Sequence, residues 1–148
     1  MKNQSFTIAV ASDHAGYQYK EKIKDFLEKE GYRVTDFGTD SEEMMDYPLT
    51  IRPAAEAVAN GICDVGVIFG GSGNGEAIVA NKVKGIRCAV CWNVESARFA
   101  KEHNNANIIS MGQRMISSES AIDIVKTWLS AQFQEGRHLR RISLIDAD

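Results

Sequence analysis

A carboxylate directly behind a run of alternating glycines is the feature of this sequence best suited to chemistry. Residues 64–77 read Asp-Val-Gly-Val-Ile-Phe-Gly-Gly-Ser-Gly-Asn-Gly-Glu-Ala. The apolar run 65–69 reads as a buried strand. It breaks into Gly70, Gly71, Gly73 and Gly75, and a helix is expected from Glu76. Glycines let a backbone turn tightly and bring its N–H groups close to a ligand. A helix N-terminus behind them favours negative charge. The pattern predicts a small anionic guest, met by the side chains of Ser72, Asn74 and Glu76.

Other candidates lie elsewhere along the chain, each with a plain structural alternative. Glu76 itself reads equally as a helix-start residue and as a base. A capping box is a poor account of it, because Gly73, three residues earlier, has no side-chain acceptor. The helix dipole should lower its pKa and burial should raise it, and the sequence does not decide the sum. Asp13-His14 follows the first strand-like run. His103 and Asn104 close a helical stretch, where His103 also suits the negative helix end. Arg114 follows the fifth strand-like run, where a guanidinium can grip a phosphate with two hydrogen bonds. The segment from Gly136 gathers Arg137, His138, Arg140 and Arg141, and Leu139, Ile142 and Ile145 form a narrow apolar stripe along it. A basic cluster of this kind is most simply a solvated helix end. It gains interest because the rest of the chain needs a partner for an anion. The expectation is a set of carboxylates, imidazoles and arginines projected almost entirely to one edge of one sheet.

The elements that must position these groups alternate. Strand-like runs fall at 6–11, 32–37, 65–69, 87–91 and 107–110, and amphipathic stretches at 17–30, 48–60, 76–82, 95–103 and 117–130. In the first amphipathic stretch Tyr19, Ile23, Phe26 and Leu27 share one face and Lys20, Glu21, Lys24 and Asp25 the other, with Gly31 as the stop. This β-α series predicts a single-domain α/β fold. It is a Rossmann-like three-layer sandwich with a five-stranded parallel sheet and a C-terminal helical tail. In such a sheet ligands bind outside the carboxyl ends of the strands, where strand order reverses.

The totals narrow the classes. With 148 residues, 44% hydrophobic and 25% charged, the chain suits one soluble globular domain. A net charge of −3 gives no general attraction to nucleic acid, so an anion site must be local. No apolar run approaches the roughly 20 residues of a membrane span, and no basic-then-apolar leader precedes Phe6, so a cytoplasmic protein is expected. Cys88 and Cys91 form a C-x-x-C, but they sit in a strand-like run without a second pair to complete a metal site, so with Cys63 they read as buried small hydrophobes. The glycine loop is not a nucleotide fingerprint. Glu76-Ala77 replaces the Lys-Ser/Thr of a P-loop, and the glycine spacing misses G-x-G-x-x-G. ATP and NAD are not expected.

Read as a whole, the sequence closely resembles the type B ribose-5-phosphate isomerases, within the ribose/galactose sugar-phosphate isomerase family. The likeness runs through Ser12-Asp13-His14-Ala15-Gly16, Asp46-Tyr47-Pro48 and Gly71-Ser72-Gly73-Asn74-Gly75-Glu76. It continues through Ala80-Asn81-Lys82, Gly85-Ile86-Arg87, Glu102-His103-Asn104-Asn105-Ala106-Asn107 and Gly136-Arg137-His138. Many relatives carry a cysteine base where this chain has Gly70. The chain resembles instead a branch with glutamate where Glu76 stands.

The resemblance implies one domain over 1–148, with residues from about 132 to 148 reaching a partner subunit. It also implies interconversion of ribose 5-phosphate and ribulose 5-phosphate in the pentose phosphate pathway, through a cis-enediolate and with no metal or cofactor. Glu76 would be the base. Backbone N–H groups of Gly71, Gly73, Asn74 and Gly75, the Ser72 hydroxyl and the Asn104 amide would hold the enediolate. His103 would open the sugar ring and Asp13 would hold sugar hydroxyls. His14, Arg114 and the partner's copies of three tail residues, numbered here Arg137, His138 and Arg141, would bind phosphate. A homodimer with shared sites follows, with further pairing into a tetramer left open. The same chemistry on allose or galactose 6-phosphate, a non-catalytic sugar-phosphate binding module and a ligand-free α/β dimer remain as alternatives.

Overall fold

The computed structural model describes residues 6–147. The expectation that no leader occupies residues 1–5 lies outside them. Five strands run β1 (Thr7–Ser12), β2 (Arg33–Asp36), β3 (Val65–Gly70), β4 (Cys88–Val90) and β5 (Ile108–Gly112). Six helices are α1 (Tyr17–Lys29), α2 (Pro48–Ala59), α3 (Asn74–Asn81), α4 (Val94–Glu102), α5 (Ser118–Ser130) and α6 (Arg137–Asp146). The strands form one all-parallel sheet in the order β2-β1-β3-β5-β4.

Burial follows position in that order. Every residue of β1, β3 and β5 is buried, while the edge strands β2 and β4 are half-covered. A strand with helices on both faces has no use for polar alternation, which is why these central runs are continuously apolar. One core layer packs Ile8, Val10, Val67, Phe69 and Ile109 with Ile23, Leu27, Ile124 and Trp128. The other packs Ala9, Ala11, Ile68 and Ile108 with Ile51, Ala55 and Ala80. Trp128 is fully buried and its indole N–H donates to the Ala106 carbonyl at 3.3 Å.

Local signals set the helix ends. Gly31, at φ 93°, stops α1. Asn93 and Ser96 form a reciprocal capping box at the start of α4, and the Ser117 hydroxyl caps α5. Two expectations shift. Helix α3 begins at Asn74 rather than Glu76, because Gly73 takes a left-handed conformation (φ 85°) that ends the loop and serves as the N-cap. Lys20, placed by periodicity on the solvent face of α1, is fully buried. Its ammonium pairs with Asp36 and Glu21, each at 2.7 Å, so the end of β2 supplies a counterion that helical spacing does not reveal. No helix among the described residues is long and apolar enough to cross a membrane.

Candidate active site

The strand order reverses beside β1: its chain continues to β2 on one side and later to β3 on the other. The carboxyl ends of β1 and β3 are in register, Ser12 opposite Phe69, and Gly70 stands opposite Gly112 of β5. Three central strands therefore release their following segments side by side at the switch point. They wall a cavity of about 460 Å³ lined by Asp13, His14, Tyr47, Gly71, Ser72, Gly75, Glu76 and Arg114.

Each side chain there has a backbone reason for its place. Asp13 Oδ1 accepts the N–H groups of Ala15 and Gly16 at 2.9 and 3.0 Å, which caps the turn after β1. Its other oxygen takes no partner among the described residues. His14 Nδ1 accepts the Met45 N–H at 3.2 Å, which leaves its proton on Nε2. The Ser110 hydroxyl donates to the Gly73 carbonyl at 2.7 Å, and the Gly70 and Gly71 carbonyls accept the N–H groups of Gln113 and Arg114 at 2.8 and 3.0 Å. The glycine loop and the Arg114 segment thus brace one another. The N–H groups of Gly71, Ser72, Gly73 and Gly75 have no acceptor among the described residues, so the loop carries a set of unclaimed donors.

Glu76 sits in the first turn of α3 and is 3% exposed. Burial pushes its carboxyl above the usual carboxylate range, its own N–H pulls the other way, and the nearby Asp13 charge adds to the rise. Burial is the largest of these influences. The carboxylate also occupies the space where a side chain at residue 70 would stand, since a Cβ built on Gly70 coincides with it. Glycine at 70 is what lets a glutamate from the next helix reach the end of β3.

No cysteine lines this cavity. Cys63 and Cys91 are buried; burial pushes the Cys91 thiol up to about 12, and Cys63 and Cys88 upward as well. Among the described residues no three His, Cys, Asp or Glu side chains gather as a metal-ligand set.

The remaining candidates do not join this cavity, contrary to the expected single edge. Helix α4 runs against the strands, so His103 at its end and Asn104 after it lie at the amino edge of the sheet. The α6 tail lies there too. The His103 ring stacks on Phe99 at 4.6 Å and on His138 at 4.5 Å. Burial lowers the pKa of His138, and His103, Arg137 and Arg141 lower it further. His138 Nε2 is buried without a partner, while Arg137 and Arg141 are exposed. The tail is tied down by Arg87, which binds Asp146 at 2.6 Å and the carbonyls of Asn104 and Asn105. Tyr47 is the wall residue that the residue-by-residue reading missed, although it stands in the Asp46-Tyr47-Pro48 motif. Its position before a proline at a helix start, just past a strand end, was the available signal.

An open parallel α/β sheet with a buried carboxylate, an aspartate and free backbone donors at its switch point is the frame of a small-molecule enzyme. The family model for Ribose/Galactose Isomerase matches residues 8–145, and the chain belongs to that family. It is 41% identical over 140 residues to the ribose-5-phosphate isomerase B of Escherichia coli (strain K12), covering 95% of this chain and 94% of that one. Its fold superposes on the ribose-5-phosphate isomerase B of Clostridium thermocellum with a TM-score of 0.94 at 50% identity, covering 95% of each. It likewise matches the Mycoplasma genitalium enzyme solved with bound ribulose-5-phosphate, with a TM-score of 0.92 at 36% identity, covering 97% of this chain and 95% of that one.

Proposed function

We propose that this chain interconverts ribose 5-phosphate and ribulose 5-phosphate by proton transfer between adjacent sugar carbons, with Glu76 as the base. The observation that carries this reading is the Glu76 carboxylate, nearly fully buried at the end of β3 beside unclaimed loop N–H groups. In the aldose direction Glu76 takes the proton from C2, and the electron pair moves toward C1 to form a cis-enediolate. The C1 carbonyl oxygen takes up the displaced electron pair, and the O2 hydroxyl proton passes to O1. The protonated Glu76 then returns its proton to C1 as the C2 carbonyl forms, giving the ketose. Negative charge develops on the two substrate oxygens, and the unclaimed N–H groups of Gly71, Ser72, Gly73 and Gly75 would meet it. Each such donor contributes about 3 kcal/mol where its effect has been isolated. A base with a raised pKa is better matched to neutral pH than an ordinary carboxylate.

The other half of the site comes from a second copy. His103, Asn104, Arg137, His138 and Arg141 lie at the opposite edge of the sheet from Glu76, so one chain does not assemble the set. Leu139 and Ile145 stay exposed on the tail, as they would on a surface that docks. In a homodimer the partner would bring the ring-opening imidazole, the Asn104 amide and the phosphate-binding cations to the Glu76 cavity, joining His14 and Arg114. A pairing of dimers is compatible with this arrangement. A cytoplasmic location belongs to the same reading, since a charged sugar phosphate does not cross an apolar layer unaided. A turnover panel of pentose and hexose phosphates tests the assignment. Preference for ribose 5-phosphate supports it, and preference for allose or galactose 6-phosphate replaces it with the six-carbon reading.

A further inference from the structure

We propose that Arg87 is a positioning residue whose guanidinium locks the Asn104 loop to the far end of α6, so that both reach a second copy's Glu76 cavity in register. The inference deepens the isomerase reading and rests on it.

Arg87 closes the Gly85-Ile86-Arg87 motif, which the proposed chemistry leaves without a task. The residue is fixed before its side chain begins. Just ahead of β4 its N–H donates to Asn107 Oδ1 at 2.9 Å, and its carbonyl accepts the Asn107 N–H at 3.1 Å. Asn107 Nδ2 donates in turn to the Gly85 carbonyl at 2.9 Å. The side chain leaves this anchorage 17% exposed and divides its donors between two segments. Nε donates to the Asn104 carbonyl at 2.9 Å and Nη2 to the Asn105 carbonyl at 3.1 Å. Nη1 donates to Asp146 Oδ2 at 2.6 Å. Each of the three nitrogens serves a different acceptor, which suits a planar fork and not the point charge of an ammonium.

Both halves of that grip meet a need. The chain leaves α4 through Asn105, whose φ of 43° lies in the left-handed region, and a cationic side chain suits the carbonyls behind a helix end. Fixing the Asn104 carbonyl fixes the residue whose amide is proposed to hold the enediolate, with His103 directly before it. The tail needs a second pin. Near its start the Gln134 N–H donates to the Glu102 carbonyl at 3.0 Å, and the His138 ring stacks on His103. A helix held only near its start can swing, and Asp146, the last residue of α6, is where Arg87 holds the other end. Between the loop and that end lies a cavity of about 470 Å³ lined by Arg87, Asn104, Ile145 and Asp146. The guanidinium spans it.

The experiment measures ribose 5-phosphate kinetics and inhibition by inorganic phosphate for the full chain, Arg87→Lys and Asp146→Ala, and then mixes variants. Arg87→Lys keeps the charge and loses the fork. It should lower kcat about tenfold through the loop and raise KM about threefold or more through the tail. Asp146→Ala frees only the tail. It should raise KM and the phosphate inhibition constant roughly two- to fivefold, the range of one exposed ion pair, with kcat within about twofold. Mixed with Glu76→Gln chains, Arg87→Lys should recover about a quarter of normal activity; mixed with Arg137→Ala it should gain nothing, because both lesions fall in the same half.

Parental kcat or parental KM in Arg87→Lys overturns the proposal, whatever happens to its unfolding midpoint. So does a gain on mixing with Arg137→Ala, or no gain with Glu76→Gln in mixed dimers where Arg137→Ala does recover. Should Arg87→Lys fail to fold, Asp146→Ala decides, and a parental KM with parental phosphate inhibition overturns the proposal. Failure of the isomerase reading is distinct: the unsubstituted chain then leaves ribose 5-phosphate unchanged, and the inference falls with it.

Discussion

The two edges of the sheet carry opposite halves of the proposed chemistry and are built in opposite ways. At the carboxyl edge, Asp13 and Glu76 are buried, and the loops that hold them are braced by hydrogen bonds from the three central strands. At the amino edge, His103, Asn104 and the tail cations sit on helix ends, largely exposed, with an orphaned imidazole nitrogen on His138. The contrast teaches a division of labour. A base must be held rigidly and partly desolvated to be tuned, whereas groups that grip a phosphate only need to arrive. On the proposed reading the first half is complete within one chain, and the second would acquire its purpose when another chain meets it.

The sharpest way to break this contrast is Glu76→Gln, which should lower kcat by about 10³-fold in a ribose 5-phosphate assay, the scale of a lost general base. Calorimetric binding of the sugar phosphate should survive. Gly70→Ala tests the same point from the other side: its methyl displaces the carboxylate, so activity should fall about 10²-fold with the fold retained by circular dichroism. Next comes Arg137→Ala, expected to raise KM about tenfold or more through loss of a charge-assisted phosphate contact. Mixing the Arg137→Ala and Glu76→Gln chains should recover about a quarter of normal activity, since half of the dimers then hold one intact site. No recovery in proven mixed dimers would confine each site to a single chain.

Two smaller effects sharpen the contrast. Because burial raises the Glu76 pKa, the acid limb of kcat/KM should lie above the roughly pH 4.3 of an ordinary glutamate. The same shift acts on stability. The fold favours the protonated form, so Glu76's contribution is fully present below the unfolded pKa and is lost as pH rises through the folded one. Glu76→Gln should therefore unfold at a higher temperature than the parent at pH 7, and the gap should close toward pH 4. Lys20→Met, remote from both halves, should cost about 1 kcal/mol in denaturant titration through the lost contact to Asp36, which keeps Lys24 and the Gly38 N–H, with activity nearly intact.

Much of this arrangement was legible because its signals are local. Continuous apolar runs mark β1, β3 and β5, and Gly31 marks the end of α1. The glycine string before Glu76 marks the loop, although the left-handed Gly73 moved the helix start back to Asn74. What was not legible depends on groups distant in sequence. The partner of Lys20 is Asp36, sixteen residues on. Sequence order does not show that His103 closes a helix running against the strands, and so lies away from Glu76. Tyr47 sits 28 residues before Gly75, against which its ring lies, so no spacing rule connects the two.

The coincidence of the Glu76 carboxylate with the side-chain space of residue 70 carries an evolutionary consequence. That volume has room for one of the two side chains. A lineage with a nucleophilic side chain at 70 and a lineage with glutamate at 76 are two solutions to one steric problem, and they exclude each other. A single substitution to cysteine at 70 in this chain would evict Glu76, the proposed base, before the replacement is tuned. Restoring glycine in the other lineage would remove its base outright. The passage between branches crosses an inactive intermediate unless both positions change together, so the identity of the base should be inherited as a linked pair.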